Sequence, residues 1–413
     1  MTKKASTPAL RFKGFTYTWE QRKVTELGKI YIGLVTTMTK HYTNDGTLLI
    51  RNSDIKDSRF EFGDNPIYLE KSFAQQNESR MHQVGDVITV HTGDVGTSAV
   101  ITENEAKSIG FATIVTRPDT KIINPDYLCA FLNTDKHKKW AVAISTGDGR
   151  TNYNLGDYYE LVVPVPSIKE QKAIASYIQN LNNLITLHQR KYDKLTNMKK
   201  SMLEKMFPKN GANVPEIRFK GFTDAWEQRK LKELATFAKG TGYSKSDLTE
   251  QGTPIILYGR LYTKYETKIN DVDTFAIAKK SSVYSTGNEV IVPASGETAE
   301  DIARASYVAK SGFLLGGDLN IIYPIDRIEP TFLALSISNG EQQKSLAQKA
   351  QGKSVVHIHN SDLESIKISY PKMEEQEKIG RYFLNLDRLI TLHQRELEKL
   401  KNLKKACLEK MFV

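Results

Sequence analysis

The sequence has few of the features that mark secreted, membrane-spanning or metal-binding proteins. Its 413 residues include two cysteines, Cys129 and Cys407, too few for a disulfide framework or a cysteine-ligated zinc site. No run approaches the 18 apolar residues that a membrane span needs, and the first residues lack the apolar segment of a signal peptide. We therefore expect a cytoplasmic protein in a reducing compartment.

Motifs of several enzyme classes are also missing or incomplete. The sequence has no G-x-G-x-x-G turn and no P-loop. Asn65–Tyr68 lacks the second proline of the [DN]PP[YF] motif of adenine methyltransferases. Asp119 has no acidic partner at the spacing of a metal nuclease, and His357 and His359 have no carboxylate partner for a metal site. We expect no catalytic site, no metal and no cofactor on this chain.

An internal duplication dominates what is present. The heptapeptide LITLHQR occurs at Leu184–Arg190 and again at Leu389–Arg395. Aligning Pro166–Phe207 with Pro371–Phe412 at a shift of 205 gives 24 identities in 42 positions. In both segments apolar residues recur at alternating steps of four and three, the 3.5-residue period of a coiled-coil seam. We expect two helices of about 37 residues, each roughly 55 Å long.

The seam positions correspond between the two segments. They are Ile174, Ile178, Leu181, Ile185, His188, Tyr192, Leu195, Lys199, Met202 and Met206 in the first, and Ile379, Phe383, Leu386, Ile390, His393, Leu397, Leu400, Lys404, Cys407 and Met411 in the second. Polar seam residues typically fix register and pairing orientation at some cost in stability. We interpret His188, His393, Lys199 and Lys404 in this way rather than as ligand contacts.

A second repeated block precedes each globular region. RFKGFTYTWEQRKVTEL at Arg11–Leu27 recurs as RFKGFTDAWEQRKLKEL at Arg218–Leu234. The repeats give two units, each with the order short motif, variable region and long helix. The predicted segments are a globular domain at 1–165, a spacer helix at 166–208, a second globular domain at 209–370 and a second spacer helix at 371–413.

The variable regions predict a small α+β domain that is used twice. β-Branched or alternating runs bounded by turn residues predict strands at Val87–Val90, Ile114–Thr116, Glu289–Val292 and Asn320–Tyr323, and helices at Asp126–Leu132 and Thr331–Ile337. Ser167 followed by Glu170 predicts a capping box at the start of the first long helix. The predicted fold is α+β, with two globular domains, two long antiparallel helices forming a coiled coil, and an internal pseudo-two-fold repeat.

The net charge of +10, from 58 basic and 48 acidic residues, is compatible with nucleic-acid binding. However, segments 166–207 and 371–412 carry +5 and +3 of this charge, which leaves +2 for everything else. A solvated helix surface accounts for most of the excess. Charge alone therefore does not establish DNA binding.

Two diverged domains alternating with two similar long helices resemble the specificity subunits of type I restriction–modification systems. The resemblance is carried by W-E-Q-R-K-[VL]-x-E-L at Trp19–Leu27 and Trp226–Leu234, and by P-x-x-x-E-Q at Pro166–Gln171 and Pro371–Gln376. It covers essentially the whole chain. One departure is Asn288, which follows a glycine where the family usually has Gly-Asp.

The resemblance implies a sequence-specific DNA-binding subunit without catalysis of its own. Each globular domain would read one half of a bipartite, asymmetric target in double-stranded DNA. The helices would set the unread spacer and dock two methyltransferase (modification) subunits, and restriction subunits would complete the assembly. S-adenosylmethionine and ATP would bind those partner subunits.

No base-reading residue can be transferred from the family, because its target-recognition surfaces vary between members. Candidates are instead side chains in Gly- or Asn-rich loops that can pair with a base edge or a phosphate. In the first domain they are Lys40, His41, Tyr42, Arg51, Asn52, Gln75, Gln76, Asn77, Arg80, Arg150, Asn152 and Tyr153. In the second domain they are Tyr243, Lys245, Tyr258, Arg260, Tyr262, Lys264, Arg304, Lys353 and His357. For each residue an ordinary surface role is the alternative.

Two other classes of function remain open. One is a coiled-coil structural adaptor without DNA affinity, which a gel shift with random duplex DNA at low and high salt would identify. The other is a self-sufficient DNA-modifying enzyme, which methyl transfer by the purified chain alone would reveal.

Overall fold

The chain folds into two compact units that do not follow the order of the sequence. The computed structural model describes residues 7–145, 152–209, 211–352 and 355–412. Unit 1 comprises Met1–Gln189 and Gln394–Val413, and unit 2 comprises Arg190–His393. Each unit therefore contains one globular region, the first part of one long helix and the last part of the other. These boundaries differ from the consecutive segments drawn from the sequence.

Unit 1 is built on two four-stranded sheets, with strand orders β2-β11-β8-β9 and β10-β4-β7-β3. The first sheet is antiparallel throughout, and β1 pairs with β12 beside it. The strands are β1 (Glu20–Lys23), β2 (Gly28–Ile32), β3 (Tyr42–Thr43), β4 (Thr47–Ile50), β5 (Ile55–Lys56), β6 (Arg59–Phe60), β7 (Tyr68–Leu69), β8 (Val87–Thr89), β9 (Ser98–Val100), β10 (Ile109–Gly110), β11 (Ile114–Pro118) and β12 (Val162–Val165). The helices are α1 (Lys71–Gln76), α2 (Pro125–Leu132), α3 (Asp135–Ile144), α4 (Leu155–Tyr159) and α5 (Ile168–Lys205), of which α5 continues into unit 2.

Unit 2 repeats this plan with two five-stranded sheets, ordered β14-β24-β20-β22-β17 and β15-β18-β16-β23-β19. The strands are β13 (Glu227–Lys230), β14 (Ala235–Lys239), β15 (Leu248–Thr249), β16 (Thr253–Ile256), β17 (Lys268–Ile269), β18 (Phe275–Ala276), β19 (Tyr284–Thr286), β20 (Glu289–Pro293), β21 (Ser295–Gly296), β22 (Ser306–Val308), β23 (Ser311–Leu315), β24 (Leu319–Pro324), β25 (Val356–His357) and β26 (Lys367–Tyr370). The helices are α6 (Arg260–Thr263), α7 (Ala299–Ile302), α8 (Pro330–Ile337), α9 (Gly340–Lys349), α10 (Asn360–Ser365) and α11 (Met373–Met411), of which α11 continues into unit 1.

The mixed fold and the predicted elements are confirmed. The four predicted strands are β8, β11, β20 and β24, and the two predicted short helices are α2 and α8. The long helices contain 38 and 39 residues. Every predicted seam position is buried or half-buried, so the 3.5-residue period identified the less exposed face of both helices correctly.

The helix-entry motif P-x-x-x-E-Q is a structural joint between helix and domain. In unit 1, Gln171 Nε2 donates to the carbonyls of Ile122 and Pro166, and Gln171 Oε1 accepts from the Asn124 N–H at 2.7 Å. In unit 2, Gln376 makes the same three bonds at positions shifted by 205. Both glutamines are fully buried, so each satisfies backbone groups that would otherwise lack partners.

The preceding glutamate anchors the first repeated block. Arg11 binds Glu170 through two hydrogen bonds of 2.6 and 2.8 Å, and Arg218 binds Glu375 at 2.7 and 2.8 Å. Ser167 Oγ accepts from the Glu170 N–H, as predicted for the N-cap. The Glu170 carboxylate, however, is taken up by Arg11, so the predicted capping box serves mainly as a clamp between motif and helix.

The last residues of each long helix lie in the same hydrophobic core as the first turns of the other long helix. In unit 1, Phe412 lies 5.3 Å from Tyr127 between ring centroids, beside buried Ile174 and Ile178 of α5. In unit 2, Phe207 lies 5.6 Å from Phe332 in the corresponding place. The first turns of one helix thus pack next to the last turns of the other, which makes the helices antiparallel within each unit.

Candidate DNA interface

In both units a loop after the central strand meets a short extended segment near the end of the variable region. In unit 1 the loop follows β8, and Thr92 forms an antiparallel bridge with Asn152. In unit 2 the loop follows β20, and Ser295 of β21 is paired with His357 of β25. The two pairs occupy equivalent places, because Asn152 and His357 differ by the 205-residue shift of the repeat.

A side-chain hydrogen bond joins the two residues of each pair. Thr92 Oγ1 donates to Asn152 Oδ1 at 2.9 Å, and Thr92 Oγ1 also lies 2.7 Å from His91 Nδ1. Ser295 Oγ lies 3.1 Å from His357 Nδ1. Burial lowers the pKa of His91, which favours its neutral form. In both units a hydroxyl group of the loop therefore holds one polar atom of the paired side chain, Oδ1 of Asn152 or Nδ1 of His357.

The residues that follow Asn152 and His357 in the chain, Tyr153 and Ile358, point into the core. The Tyr153 N–H donates to the His91 carbonyl and the Ile358 N–H to the Ala294 carbonyl. Both side chains are 0% exposed. Since side chains alternate along an extended segment, Asn152 and His357 face away from the core. The prediction that Tyr153 contacts DNA is therefore wrong: its hydroxyl lies 3.3 Å from buried His137 Nε2 instead.

Arg51 and Asn52 lie at the same edge of unit 1, directly after β4. Asn52 Oδ1 accepts from the His91 N–H at 2.8 Å, while its Nδ2 group donates to the carbonyls of Phe111 and Ala112. The Asn52 side chain is thus committed to holding the loop. Arg51 is bound to Asp54 at 3.0 and 2.8 Å but stays half-buried at the edge.

The remaining described candidates of unit 1 form a separate group around β3 and α1. His41 pairs with Glu70 at 3.0 Å and stacks on Phe73 with a centroid distance of 4.1 Å. Asn77 Nδ2 donates to the Phe73 carbonyl at the end of α1. The exposed members of this group are Lys40, Tyr42, Gln75 and Gln76.

Arg80 follows this group in the chain but serves the scaffold. Its guanidinium donates to the Ile32 carbonyl at 2.6 Å and lies 5.7 Å from the centre of the Tyr31 ring. Burial raises the pKa of Tyr31 to about 12. Arg80 therefore contributes to the first sheet rather than to an exposed loop.

In unit 2, four candidates come together around Ser295. Tyr262 donates its hydroxyl to the Ser295 carbonyl at 2.7 Å, and burial raises the pKa of that hydroxyl. The Arg304 guanidinium lies 5.4 Å from the Tyr262 ring centre, and Tyr258 packs edge-on against the same ring at 6.3 Å. With His357 on the paired strand, this forms an aromatic and basic edge on which Tyr258 and His357 are exposed, while Tyr262 and Arg304, which is paired with Asp301, are half-buried.

Two other candidates of unit 2 are structural. Tyr243 is buried, and its hydroxyl is bound to Ser282 and the Lys279 N–H. The Arg260 side chain is 8% exposed and is paired with Glu266 and Asp273. Both predictions of DNA contact are corrected, because these side chains are already committed inside the unit.

The lysine candidates of unit 2 remain accessible. Lys245 is exposed in the short turn before β15. Lys264 is also exposed, although its ammonium group lies 2.9 Å from Asp273. Arg150 and Lys353 lie outside the described residues, so their predicted DNA contacts stay predictions.

The sequence contains a signal for this edge that lies outside the register of the other repeats. Thr92-Gly93-Asp94 and Ser295-Gly296-Glu297 share the pattern [ST]-G-[DE] within three residues of the ends of β8 and β20. They are related by a shift of 203 rather than 205, so a search at constant shift passes over them. Thr92 and Ser295 were not among the candidates predicted from the sequence, and their hydroxyl groups add them to the candidate site.

The arrangement offers hydrogen-bonding and stacking groups rather than reactive ones. Among the residues described, no group of three His, Cys, Asp or Glu side chains is placed to hold a metal ion. Within the same ranges, every helix is too short or too polar to span a lipid bilayer. Amide, imidazole, guanidinium and tyrosine groups at an exposed edge are those that contact bases and phosphates.

Comparisons with known proteins agree with this architecture. The family model described as type I restriction modification DNA specificity domain matches twice, at residues 17–197 and 223–402. The chain is 23% identical over 296 residues to the type I restriction enzyme MjaVIII specificity subunit of Methanocaldococcus jannaschii, covering 69% of this chain and 68% of that protein. It is 28% identical over 137 residues to the EcoBI specificity subunit of Escherichia coli, covering 33% and 29%.

A solved structure shares the whole fold. The S subunit of a type I restriction–modification system from M. genitalium superposes with a TM-score of 0.60 at 15% sequence identity, covering 99% of both chains. At that identity the likeness concerns the fold alone. It extends over both repeats and therefore over the duplicated plan seen in the sequence.

Proposed function

Because this chain belongs to the family of type I restriction–modification DNA specificity domains, we propose that it reads a bipartite, asymmetric target in duplex DNA. Each unit binds one half of that target through the edge formed by the loop after β8 or β20. The observation that carries the proposal is a shared frame with different side chains. Asn152 stands in unit 1 where unit 2 has His357, on equivalent paired segments. Such a frame lets two half-sites differ in sequence.

The chain itself performs no chemistry in this proposal. The exposed edges carry groups that bind rather than react, and each buried polar cluster described above serves the scaffold. S-adenosylmethionine and ATP bind partner subunits, which methylate adenine or cleave DNA. Methyl transfer by the purified chain alone would contradict this division of labour.

We further propose that the two long helices dock two copies of one modification subunit. The repeated heptapeptide leaves apolar side chains on the surface at matching positions: Leu184 and Leu187 are 44% and 46% exposed, and Leu389 and Leu392 are 42% and 51% exposed. Packing within the units does not require leucine at exposed positions. Keeping the same exposed leucines twice supports binding of the same partner twice. Restriction subunits then join through that assembly.

The helices also set the number of unread base pairs between the half-sites. α5 and α11 are each one continuous helix, and each begins with residues of one unit and ends with residues of the other. An uninterrupted helix converts a number of residues into a fixed distance of about 1.5 Å per residue. This supports a defined spacer rather than a flexible linker.

The test is to map methylated adenines in cells that express the modification subunits with or without this chain. A bipartite motif that depends on the chain supports the proposal. Binding of the purified complex to that motif should exceed binding to random duplex at the same salt concentration. A structural adaptor would bind the partner subunits, yet it would show no duplex affinity at low or high salt and no motif would depend on it.

A further inference from the structure

We propose that Asn152 and His357 are specificity-determining residues that present N–H donors to acceptors on base edges in the major groove. For Asn152 the favoured base is guanine. This inference rests on the proposed function and adds to it the atoms that read one base in each half-site. Two features carry it: the equivalent outward positions of the two residues, and the hydroxyl groups that fix their inner atoms.

In unit 1 a chain of hydrogen bonds fixes the orientation of the Asn152 amide. Thr92 Oγ1 donates to Asn152 Oδ1 at 2.9 Å, so the single hydroxyl proton is used there. His91 Nδ1, 2.7 Å from the same hydroxyl oxygen, must then be the donor in its contact. The backbone N–H of His91 donates separately to Asn52 Oδ1, which holds the loop. The Asn152 Nδ2 group is left as the part of the amide directed away from the pair.

This orientation selects among the bases. An asparagine that reads adenine bidentately needs both its oxygen and its NH₂ group directed at the base edge, because adenine offers an acceptor at N7 and a donor at N6. The bond from Thr92 instead directs Asn152 Oδ1 toward the loop, although it takes only one of the two lone pairs of that oxygen. The two N–H donors of Nδ2 match guanine, which offers acceptors at both N7 and O6.

In unit 2 a serine plays the part of the threonine. Ser295 is buried, and its hydroxyl lies 3.1 Å from Nδ1 of the exposed His357 ring. When the hydroxyl donates to Nδ1, the neutral ring carries its proton on Nε2, at the outer side of the ring. That N–H can reach an acceptor of guanine or O4 of thymine. One donor in place of two explains how the same frame can read a different base.

The loop that carries Ser295 is held in place. Tyr262 donates to the Ser295 carbonyl at 2.7 Å, and a Cβ atom at Gly296 would come within 2.8 Å of the Tyr262 hydroxyl. The guanidinium of Arg304 covers the Tyr262 ring and donates to the Leu261 carbonyl. A fixed loop is what a geometric reader of hydrogen bonds needs, because a misplaced donor loses its acceptor.

The experiment uses the full chain assembled with its modification subunits and compares methylated motifs between variants. Asn152→Asp keeps the contact to Thr92 but replaces the outer donors with an acceptor. Thr92→Val removes the hydroxyl at constant shape, and Thr92→Ser keeps it as the matched control. Ser295→Ala, with Ser295→Thr as its control, and His357→Phe do the same for unit 2.

We expect Asn152→Asp to lose preference for guanine at one position of one half-site, by roughly 5- to 150-fold for a contact of about 1–3 kcal/mol. Thr92→Val lets the amide turn, so that adenine is accepted at that position together with guanine, while Thr92→Ser keeps the wild-type motif. The Ser295→Ala and His357→Phe variants change the other half-site only. The unaltered half in each case shows that the complex is folded and docked.

Three results would overturn the inference. One is an unchanged motif in all variants of a wild-type complex that does methylate a bipartite site, which leaves the proposed function intact. Another is a change in both halves caused by one variant. If a variant complex methylates nothing, its binding to duplexes with each of the four bases at the position decides: equal loss for all four contradicts the inference, and selective loss for one base supports it. A wild-type complex without any motif would instead refute the proposed function.

Discussion

The Gln376 Oε1 atom accepts a hydrogen bond from the backbone N–H of Glu329 at 2.9 Å. Gln171 does the same to Asn124 in the other unit at 2.7 Å. Each glutamine lies near the start of a long helix, and each N–H lies at the start of a short helix of the adjoining domain. The same joint thus occurs twice, although the domains around it have diverged, and it fixes the helix to the domain.

Replacing Gln171 by leucine should destabilise unit 1. The substitution leaves the Asn124 N–H and the carbonyls of Ile122 and Pro166 without their buried partner. Each unsatisfied group costs about 1–3 kcal/mol, so with three such groups we expect a loss of at least about 3 kcal/mol in the free energy of unfolding. Urea denaturation measures it. Gln179→Leu, on an exposed position of the same helix, is the control and should change stability by less than about 0.5 kcal/mol.

Truncating Phe412 should loosen unit 1 and leave unit 2 intact. Phe412 packs against Tyr127 and Phe131 of α2, and Phe207 packs against Phe332 of α8 in unit 2. Removal of a buried phenylalanine ring costs about 3–5 kcal/mol. Hydrogen exchange should therefore speed up in α2 for Phe412→Ala and in α8 for Phe207→Ala. If both helices lose protection in either variant, the units are not separate cores.

Stability should fall as the pH is lowered from about 6.5 toward 4, because two histidines of unit 1 are buried in neutral form. Burial lowers the pKa of both His82 and His137 to about 4, from 6.5. Between these values the unfolded chain binds protons that the folded chain does not, so protonation favours unfolding. Each histidine contributes about 1.4 kcal/mol per pH unit in this window, and the contribution is constant above it. Urea midpoints at pH 7.5, 6 and 5 give the slope.

Substitution of single histidines tests whether His82 contributes to this pH dependence. His82→Gln should flatten the dependence of the urea midpoint on pH, since one of the two histidines with the lowest pKa is gone; His91, whose pKa burial also lowers, and His137 keep part of the slope. His359 is exposed, and His359→Gln should leave the dependence unchanged. Equal slopes in the wild type and in the His82→Gln variant would show that His82 does not titrate on unfolding.

The seam lysines pair with carboxylates that differ between the units. Lys404 lies 2.8 Å from Asp57 of the globular region, and Lys199 pairs with Asp387 of α11, which also accepts from Thr267. Lys199 thus joins the last part of α5 to α11, whereas Lys404 joins the last part of α11 to the globular region of unit 1, so the register-fixing role of the seam lysines stays a prediction.

Replacing Asp57 should lower the free energy of unfolding more than replacing Lys404. The Lys404 side chain is 11% exposed and that of Asp57 is 38% exposed, so Asp57→Asn leaves a buried ammonium group, while Lys404→Met leaves a carboxylate that water reaches. A double-mutant cycle should give a coupling of about 1–3 kcal/mol in the free energy of unfolding. The control pair Lys405 and Asp135, 63% and 47% exposed, should give at most about 1 kcal/mol.

Elements whose signal is a period could be predicted from the sequence. The seam of both long helices, the strands β8, β11, β20 and β24, and the helices α2 and α8 are found where hydrophobic spacing places them. The period reports which face is buried, and burial of that face is what stabilises a helix or a strand. The repeated motifs likewise indicated the duplicated plan, because their glutamine, glutamate and arginine residues make the same contacts between helix and domain in both units.

The candidate interface was less predictable because it depends on the direction of single side chains. Asn152 and Tyr153 are adjacent, yet one faces outward and the other has no exposed surface. Arg260 has the chemistry of a base reader, but two acidic residues in the same unit bind it. Composition of a loop cannot reveal such partners, since Glu266 and Asp273, six and 13 residues further along the chain, meet Arg260 only through the path of the folded backbone. The [ST]-G-[DE] repeat could have shown the place of the edge, but not which atoms face outward.

The lysines of unit 2 allow a test of phosphate contact that is independent of base reading. Lys245 is exposed, whereas the ammonium group of Lys264 already lies 2.9 Å from Asp273. A lysine that neutralises one phosphate contributes about 0.9 to the slope of log affinity against log salt concentration. We expect Lys245→Ala to lower that slope by about one and to weaken cognate and random duplexes equally. Lys264→Ala should lower it by clearly less, because Asp273 competes for its charge. A larger effect of Lys264→Ala than of Lys245→Ala would place the DNA backbone along the Asp273 side of the unit instead.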